Sequence, residues 1–223
     1  MEALEITGDL PNIIGNEENL YEGNLLSYFR VSFYNANNVK NPYHNFRHQL
    51  HVLWLCQKAC QYYRNNLTPR QMRNLLIAAL FHDFDHPGHP HPAEPDPDQL
   101  NIDVAIAGLR RHIAADDRAS LPDIEALIEA THYPYKTASE DLDLLGRILR
   151  DADMAQVLSP AWIQQVVFGL AEERGAAPIE VLRAQASFLG ALSFHTRWAR
   201  QMFPQQLIEA KIAEAEKLVR FLE

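Results

Sequence analysis

The sequence predicts an all-α protein, and three observations carry that expectation. Apolar residues recur three and four apart along nearly the whole chain. No segment alternates apolar and polar residues with the period of a strand. Helix-start signals also recur. Thr68-Pro69-Arg70-Gln71 combines an N-cap, proline at the first helical position and glutamine three residues after the cap, and Ser159-Pro160 repeats the cap and proline.

Taken in order, spacing places helices at about 17–36 and 44–65, and the Thr68 signal opens one over 69–85. A further helix is expected at 98–114, and Ser120-Leu121-Pro122-Asp123 opens one over 121–131. The remaining helices fall at 139–158, 160–174, 178–200 and 204–222. The stretch from Pro87 to Asp98 holds five prolines, which exclude a helix interior. It reads either as a rim over a functional cleft or as a plain connector.

At 223 residues the chain suffices for one domain with a sizeable core, expected to span 1–223. The formal net charge of -9 argues against a nucleic-acid backbone or an anionic membrane surface as partner. The longest wholly apolar run, Leu75 to Phe81, falls short of the roughly 20 residues a membrane span needs. The acidic start lacks the pattern of a signal peptide. Cys56 and Cys60, one helical turn apart with no other cysteines, read as buried thiols in a reducing compartment, so a cytoplasmic location is expected.

The chemistry concentrates in Phe81-His82-Asp83-Phe84-Asp85-His86-Pro87-Gly88, with two imidazoles and two carboxylates ahead of a Pro-Gly break. Upstream stands Asn41-Pro42-Tyr43-His44-Asn45-Phe46-Arg47-His48, and downstream Arg150-Asp151-Ala152-Asp153. Seven of the ten histidines lie between His44 and His91, a clustering that scattered core histidines would not produce. Helical spacing sets His44, His48 and His51 on one face. His82 and Asp83 diverge by about a quarter turn, so both reach one ion only at a helix end. Of the downstream carboxylates, Asp153 shares the inward stripe of Leu145 and Leu149, whereas Asp151 stacks with Arg147 on the expected outer side. His48, His82, Asp83 and Asp153 together form an N and O donor set that suits Zn, Fe, Mn or Mg.

The order and helical placement of these residues resemble the HD superfamily of metal-dependent phosphohydrolases. Tyr43-His44-Asn45, His48, His82 through Gly88 and Ala152-Asp153 are similar in order to the class I 3′,5′-cyclic-nucleotide phosphodiesterases. That resemblance implies a compact multi-helix bundle hydrolysing cAMP or cGMP to the 5′-monophosphate with two divalent ions. Zn, Fe or Mn would occupy the tighter site, and Mg or Mn a second site bridged by Asp83. It implies that His44 is the general acid, that Asp85, His86 and Thr131 orient waters or ligands, and that Tyr43 and Gln156 border the substrate. Gln185-Ala186-Ser187-Phe188 resembles the family's nucleotide pocket, with Gln185 on the purine edge and Phe188 stacked on the ring. Independently, Gln185 is the polar member of the stripe Leu182, Gln185, Phe188, Leu189 and Leu192, where a buried amide needs a partner. A ligand base and a core hydrogen bond both satisfy that need.

The chain departs from the family in its short length and in carrying Gly108-Leu109-Arg110-Arg111-His112 where a water-ordering glutamate is expected. Two other readings stand beside the cyclic-nucleotide one. The first is a phosphohydrolase acting on a phosphomonoester or triphosphate, and the second a metal-binding sensor without activity. The partner expected in the enzymatic readings is a small-molecule nucleotide.

Overall fold

The computed structural model describes residues 9–88 and 96–223. Its helices are α1 (Leu10–Gly15), α2 (Leu26–Asn35), α3 (Phe46–Tyr62), α4 (Pro69–Phe81), α5 (Pro97–His112) and α6 (Leu121–Glu129). They continue with α7 (Leu144–Met154), α8 (Gly169–Arg174), α9 (Pro178–Ala191), α10 (Arg197–Met202) and α11 (Gln205–Leu222). Among the described residues there is no strand, so the architecture is the expected all-α one. No helix there is long and apolar enough to cross a membrane.

Helix α4 is central, packing on α3, α6 and α7 and burying every residue from Met72 to Phe81. Its start forms the capping box that Thr68 and Gln71 announce, with Thr68 Oγ1 accepting from the Gln71 amide at 3.2 Å. The bundle is also held by a buried ionic knot. Asp117 is fully enclosed and accepts from Arg73 Nε and Nη2 at 2.7 Å each, from Arg70 at 2.6 Å and from the Tyr28 hydroxyl at 2.7 Å. Removing that carboxylate would strand the buried Arg73 guanidinium. Asp117→Ala is therefore expected to cost about 3–5 kcal/mol in denaturant unfolding; a loss under about 1 kcal/mol would mean the knot contributes little.

Several expected boundaries move, each for a local reason. The helix expected over 17–36 begins only at Leu26. The Asn16 amide organises the preceding turn, donating to the Gly23 carbonyl at 2.7 Å and accepting from Leu20 N at 2.8 Å. The helix expected over 44–65 starts at Phe46, because the Asn45 side chain caps it by accepting from Arg47 N and His48 N. His44 thus precedes the helix and does not share a helical face with His48 and His51. The segment 139–158 divides where Asp143 caps α7 through Gly146 N at 2.7 Å, and it ends in a 3₁₀ turn over Ala155–Leu158.

The helix expected over 178–200 breaks between Ala191 and Arg197, with Thr196 capping α10 through Ala199 N at 3.1 Å. Asp151 holds that break. Its carboxylate accepts from His195 N at 2.9 Å and Thr196 N at 2.8 Å, and it is buried. The outward placement expected for Asp151 is therefore incorrect: its acceptors satisfy two amides that no helix pairs. The segment 160–174 is also not one regular helix, since Ile163–Phe168 is a π-helical stretch leading into α8.

Candidate metal centre and cavity

Three helix ends converge on one basin. α3 contributes His48 in its first turn, the turn leaving α4 contributes His82 and Asp83, and the last turn of α7 contributes Asp153. α3 packs on both α4 and α7, which fixes their spacing. Gly108 of α5 lies so close to the Phe84 ring that a Cβ there would collide with it, so the absence of a side chain lets α5 support the turn that carries His82 and Asp83.

Hydrogen bonds behind the two imidazoles fix their tautomers. His82 Nδ1 faces the Ala79 carbonyl at 2.9 Å and must donate to it. His48 Nδ1 faces Gln156 Oε1 in the same way. Both rings therefore turn an Nε2 lone pair inward. These atoms lie 3.3 Å from each other. Asp153 Oδ1 is 2.9 Å from His48 Nε2 and 3.6 Å from His82 Nε2, while Asp83 Oδ2 is 3.4 and 3.5 Å from the same two atoms. Asp83 Oδ2 is buried and has no hydrogen-bond donor among the described residues.

Four acceptors facing one another demand a positive charge among them. Donors about 2.0–2.2 Å from a common ion lie roughly 3.0–3.6 Å apart, so the spacing of His48, His82 and Asp83 fits one divalent cation, with Asp153 close to both imidazoles. Without metal, burial opposes a charge on His82, yet Asp83 and Asp153 outweigh it and push its pKa up to about 9. Burial likewise opposes the Asp153 carboxylate, but His48 and His82 hold it well below the usual carboxylate range. A proton and a metal ion therefore compete for this basin, and metal affinity should fall toward acid pH.

His44 lies beside the basin and is tied to a residue the sequence does not single out. Its Nδ1 donates to Glu173 Oε1 at 2.5 Å, and Glu173 Oε2 accepts from the amides of Tyr43 and His44 at 2.9 and 3.0 Å. Gly169, four residues earlier on α8, makes the approach possible, because a Cβ there would lie 2.9 Å from the Pro42 carbonyl. Burial works against both charges of the pair, but the hydrogen bond prevails. His44 is held above the ordinary histidine value and Glu173 is held down at about 2. The His86 ring stacks on His44 at 4.0 Å between centroids, and its Nδ1 accepts from Gly88 N at 3.0 Å.

The other expected site residues divide between cavity and support. A cavity of about 690 Å³ is lined by Tyr43, His44, His82, Asp83, His86, Thr131 and Asp153 at its polar end, and it reaches Gln185 and Phe188 on α9. That volume lies within the usual range for small-molecule sites. Asp85 turns away to accept from Asn37 N at 2.7 Å. Gln156, expected at the substrate, is not among the lining residues; its amide supports His48. His51 is buried with neither ring nitrogen bonded among the described residues, and its ring stacks on Trp54 at 6.4 Å between centroids. From α5 the lining residues are Asp98, Asn101 and Ile102, two to three turns before the Gly108–His112 segment. His89 and His91 lie outside the described residues, as does most of the proline-rich stretch.

Glu173→Gln separates structure from proton chemistry. If protonated His44 is the active form, activity is present below its pKa and lost as pH rises through it. Removing the carboxylate lowers that pKa. The basic limb of the kcat profile should therefore move to lower pH, with metal content unchanged. An unshifted limb would show that Glu173 does not control His44.

The HD domain family model matches residues 45–156, about half of the chain, and spans all four basin ligands. No curated protein sequence matches the chain. Its structure is similar to that of the phosphodiesterase domain of Salpingoeca rosetta rhodopsin phosphodiesterase, with a TM-score of 0.65. The identity is 17%, over 96% of this chain and 86% of that one, so the likeness is one of fold. With the family match covering the helices that carry the basin, the chain belongs to the HD-domain family of metal-dependent phosphohydrolases.

Proposed function

We propose that the protein hydrolyses a 3′,5′-cyclic purine nucleotide to its 5′-monophosphate. The observation that carries this reading is a single cavity lined both by His82, Asp83 and Asp153 of the donor basin and by Gln185 and Phe188. His48, His82, Asp83 and Asp153 would hold a divalent ion, which when bound would supply Lewis-acid polarisation of the phosphate and activation of water. The chain's own residues supply the rest. His44, kept protonated by Glu173, donates a proton to the leaving O3′ from Nε2. Thr131 lines the cavity with its hydroxyl donating to the Ile128 carbonyl, which leaves the Oγ1 lone pairs to accept from a water or ligand.

Gln185 gives the purine reading a physical basis. Its Nε2 is directed at the Val181 carbonyl of the preceding turn, at 3.4 Å. Its Oε1 is buried and has no partner among the described residues. An acceptor there complements the exocyclic amine of adenine and equally the N1–H of guanine. Triphosphate substrates are less well served. Of the two cations lining the cavity, Lys136 is bound to Asp96 at 2.7 Å, which leaves Arg174.

The test is hydrolysis of cAMP, cGMP and a base-free bis(nitrophenyl) diester by wild type, Gln185→Ala and Phe188→Ala. Loss of a buried hydrogen-bond partner costs about 1–3 kcal/mol. Gln185→Ala should therefore lower kcat/KM for cAMP about 10–10²-fold and leave the base-free diester nearly unchanged. Phe188→Ala should show the same selectivity. Equal losses on every substrate would reduce the pair to core residues.

A further inference from the structure

A second surface of the molecule carries aromatic rings and unpaired cations together. From Gly23 to His82 the chain has seven Lys and Arg and no Asp or Glu, while the remainder carries thirteen Lys and Arg against all 29 Asp and Glu. Within that stretch, α2, the turn Asn37–Lys40 and the start of α3 form one outer face. Phe33 and Tyr34 are 50% and 77% exposed and flank one another with ring centroids 5.0 Å apart. Phe33 and Phe29 close on Phe46 at 5.3 and 5.4 Å. Leu26 and Val39 are exposed as well. Arg30, Lys40 and Arg47 are exposed on this face, and none has an ion-pair partner among the described residues.

We propose that this face docks onto an anionic lipid surface, the rings entering the interface and Arg30, Lys40 and Arg47 meeting the headgroups. Protruding apolar side chains interleaved with cations on a short helix suit a planar partner. The net charge of -9, which weighs against an anionic partner for the chain as a whole, acts only weakly at this face. A chain of this length has a radius of gyration of about 17 Å. That is twice the Debye length of about 8 Å at physiological salt, so charge on the far side is screened. Of the carboxylates near this face, Asp85 is engaged by the Asn37 amide at 2.7 Å, while Asp117 is buried against Tyr28 and Arg73 and Glu173 is buried against Tyr43 and His44. The face is also held rigid. Asn38 donates to the carbonyls of His44 and Asp83 at 3.0 and 2.9 Å, and Asn41 to that of His86 at 2.8 Å.

Cosedimentation of the full chain with vesicles tests this. Three cations at about five-fold each predict roughly 10²-fold stronger partition onto phosphatidylcholine vesicles containing phosphatidylserine than onto phosphatidylcholine alone, declining as salt is raised. Arg30→Glu with Lys40→Glu should remove most of the anionic preference. Phe33→Ser with Tyr34→Ser should weaken binding to the anionic vesicles, and both pairs should retain metal content and thermal stability. Equal partition onto both vesicles, or full binding by the charge-reversed pair, would overturn the proposal. So would capture of an acidic, phenylalanine-containing peptide through these residues by protein that leaves anionic vesicles unbound, because the occupant would then be a protein segment.

Discussion

Asp153→Ala and His82→Ala are each expected to abolish hydrolysis and to lose bound metal together with it. Each substitution removes one of the inward-facing donors, of which His48 Nε2, His82 Nε2 and Asp153 Oδ1 lie 2.9 to 3.6 Å apart. A thermal readout makes the assignment independent of activity. A ligand at 100 times its Kd stabilises the folded state by about 2.7 kcal/mol, so wild type should gain thermal stability on adding Mn²⁺ or Zn²⁺ and the variants should not. An Asp153→Ala protein that retains metal and turnover would place the ion elsewhere. Asp151→Ala has a different expectation despite its proximity. It should lower stability through the two amides it leaves unpaired at His195 and Thr196, with the four metal ligands intact.

His44→Ala should keep the metal and slow turnover by about 10²–10⁴-fold, the usual range for losing a general acid. The loss should depend on the leaving group. An alkoxide such as O3′ needs a proton and a nitrophenolate does not, so the nitrophenyl diester should recover much of the rate. Metal analysis by mass spectrometry and the ratio of the two rates check this together. Equal losses on both substrates would give His44 another role, such as holding His86 in the stacked pair.

The helical class and the donors were legible because both are local. Periodicity, caps and prolines marked most helix starts, and His48, His82, Asp83 and Asp153 stood out by residue type, clustering and stripe. What the sequence did not show depends on partners far along the chain. The break before Arg197 exists because Asp151, over forty residues earlier, accepts from amides that a continuous helix would have paired. Glu173 looks like one of several acidic residues on a short helix, and only the close approach of Gly169 to Pro42 brings it to His44. Gln156 was read as a substrate contact from its place three residues after Asp153. The 3₁₀ turn that ends α7 directs its amide behind His48 instead.

Reconstitution of metal-free protein is the most direct test of the donor basin. Protein stripped with a chelator should show no hydrolysis of cAMP or of the nitrophenyl diester. Stepwise addition of Mn²⁺ should restore both in proportion to metal bound, with half-saturation moving to higher metal concentration as pH falls and protons compete for His82. Full hydrolysis by protein shown to contain no metal would contradict the account.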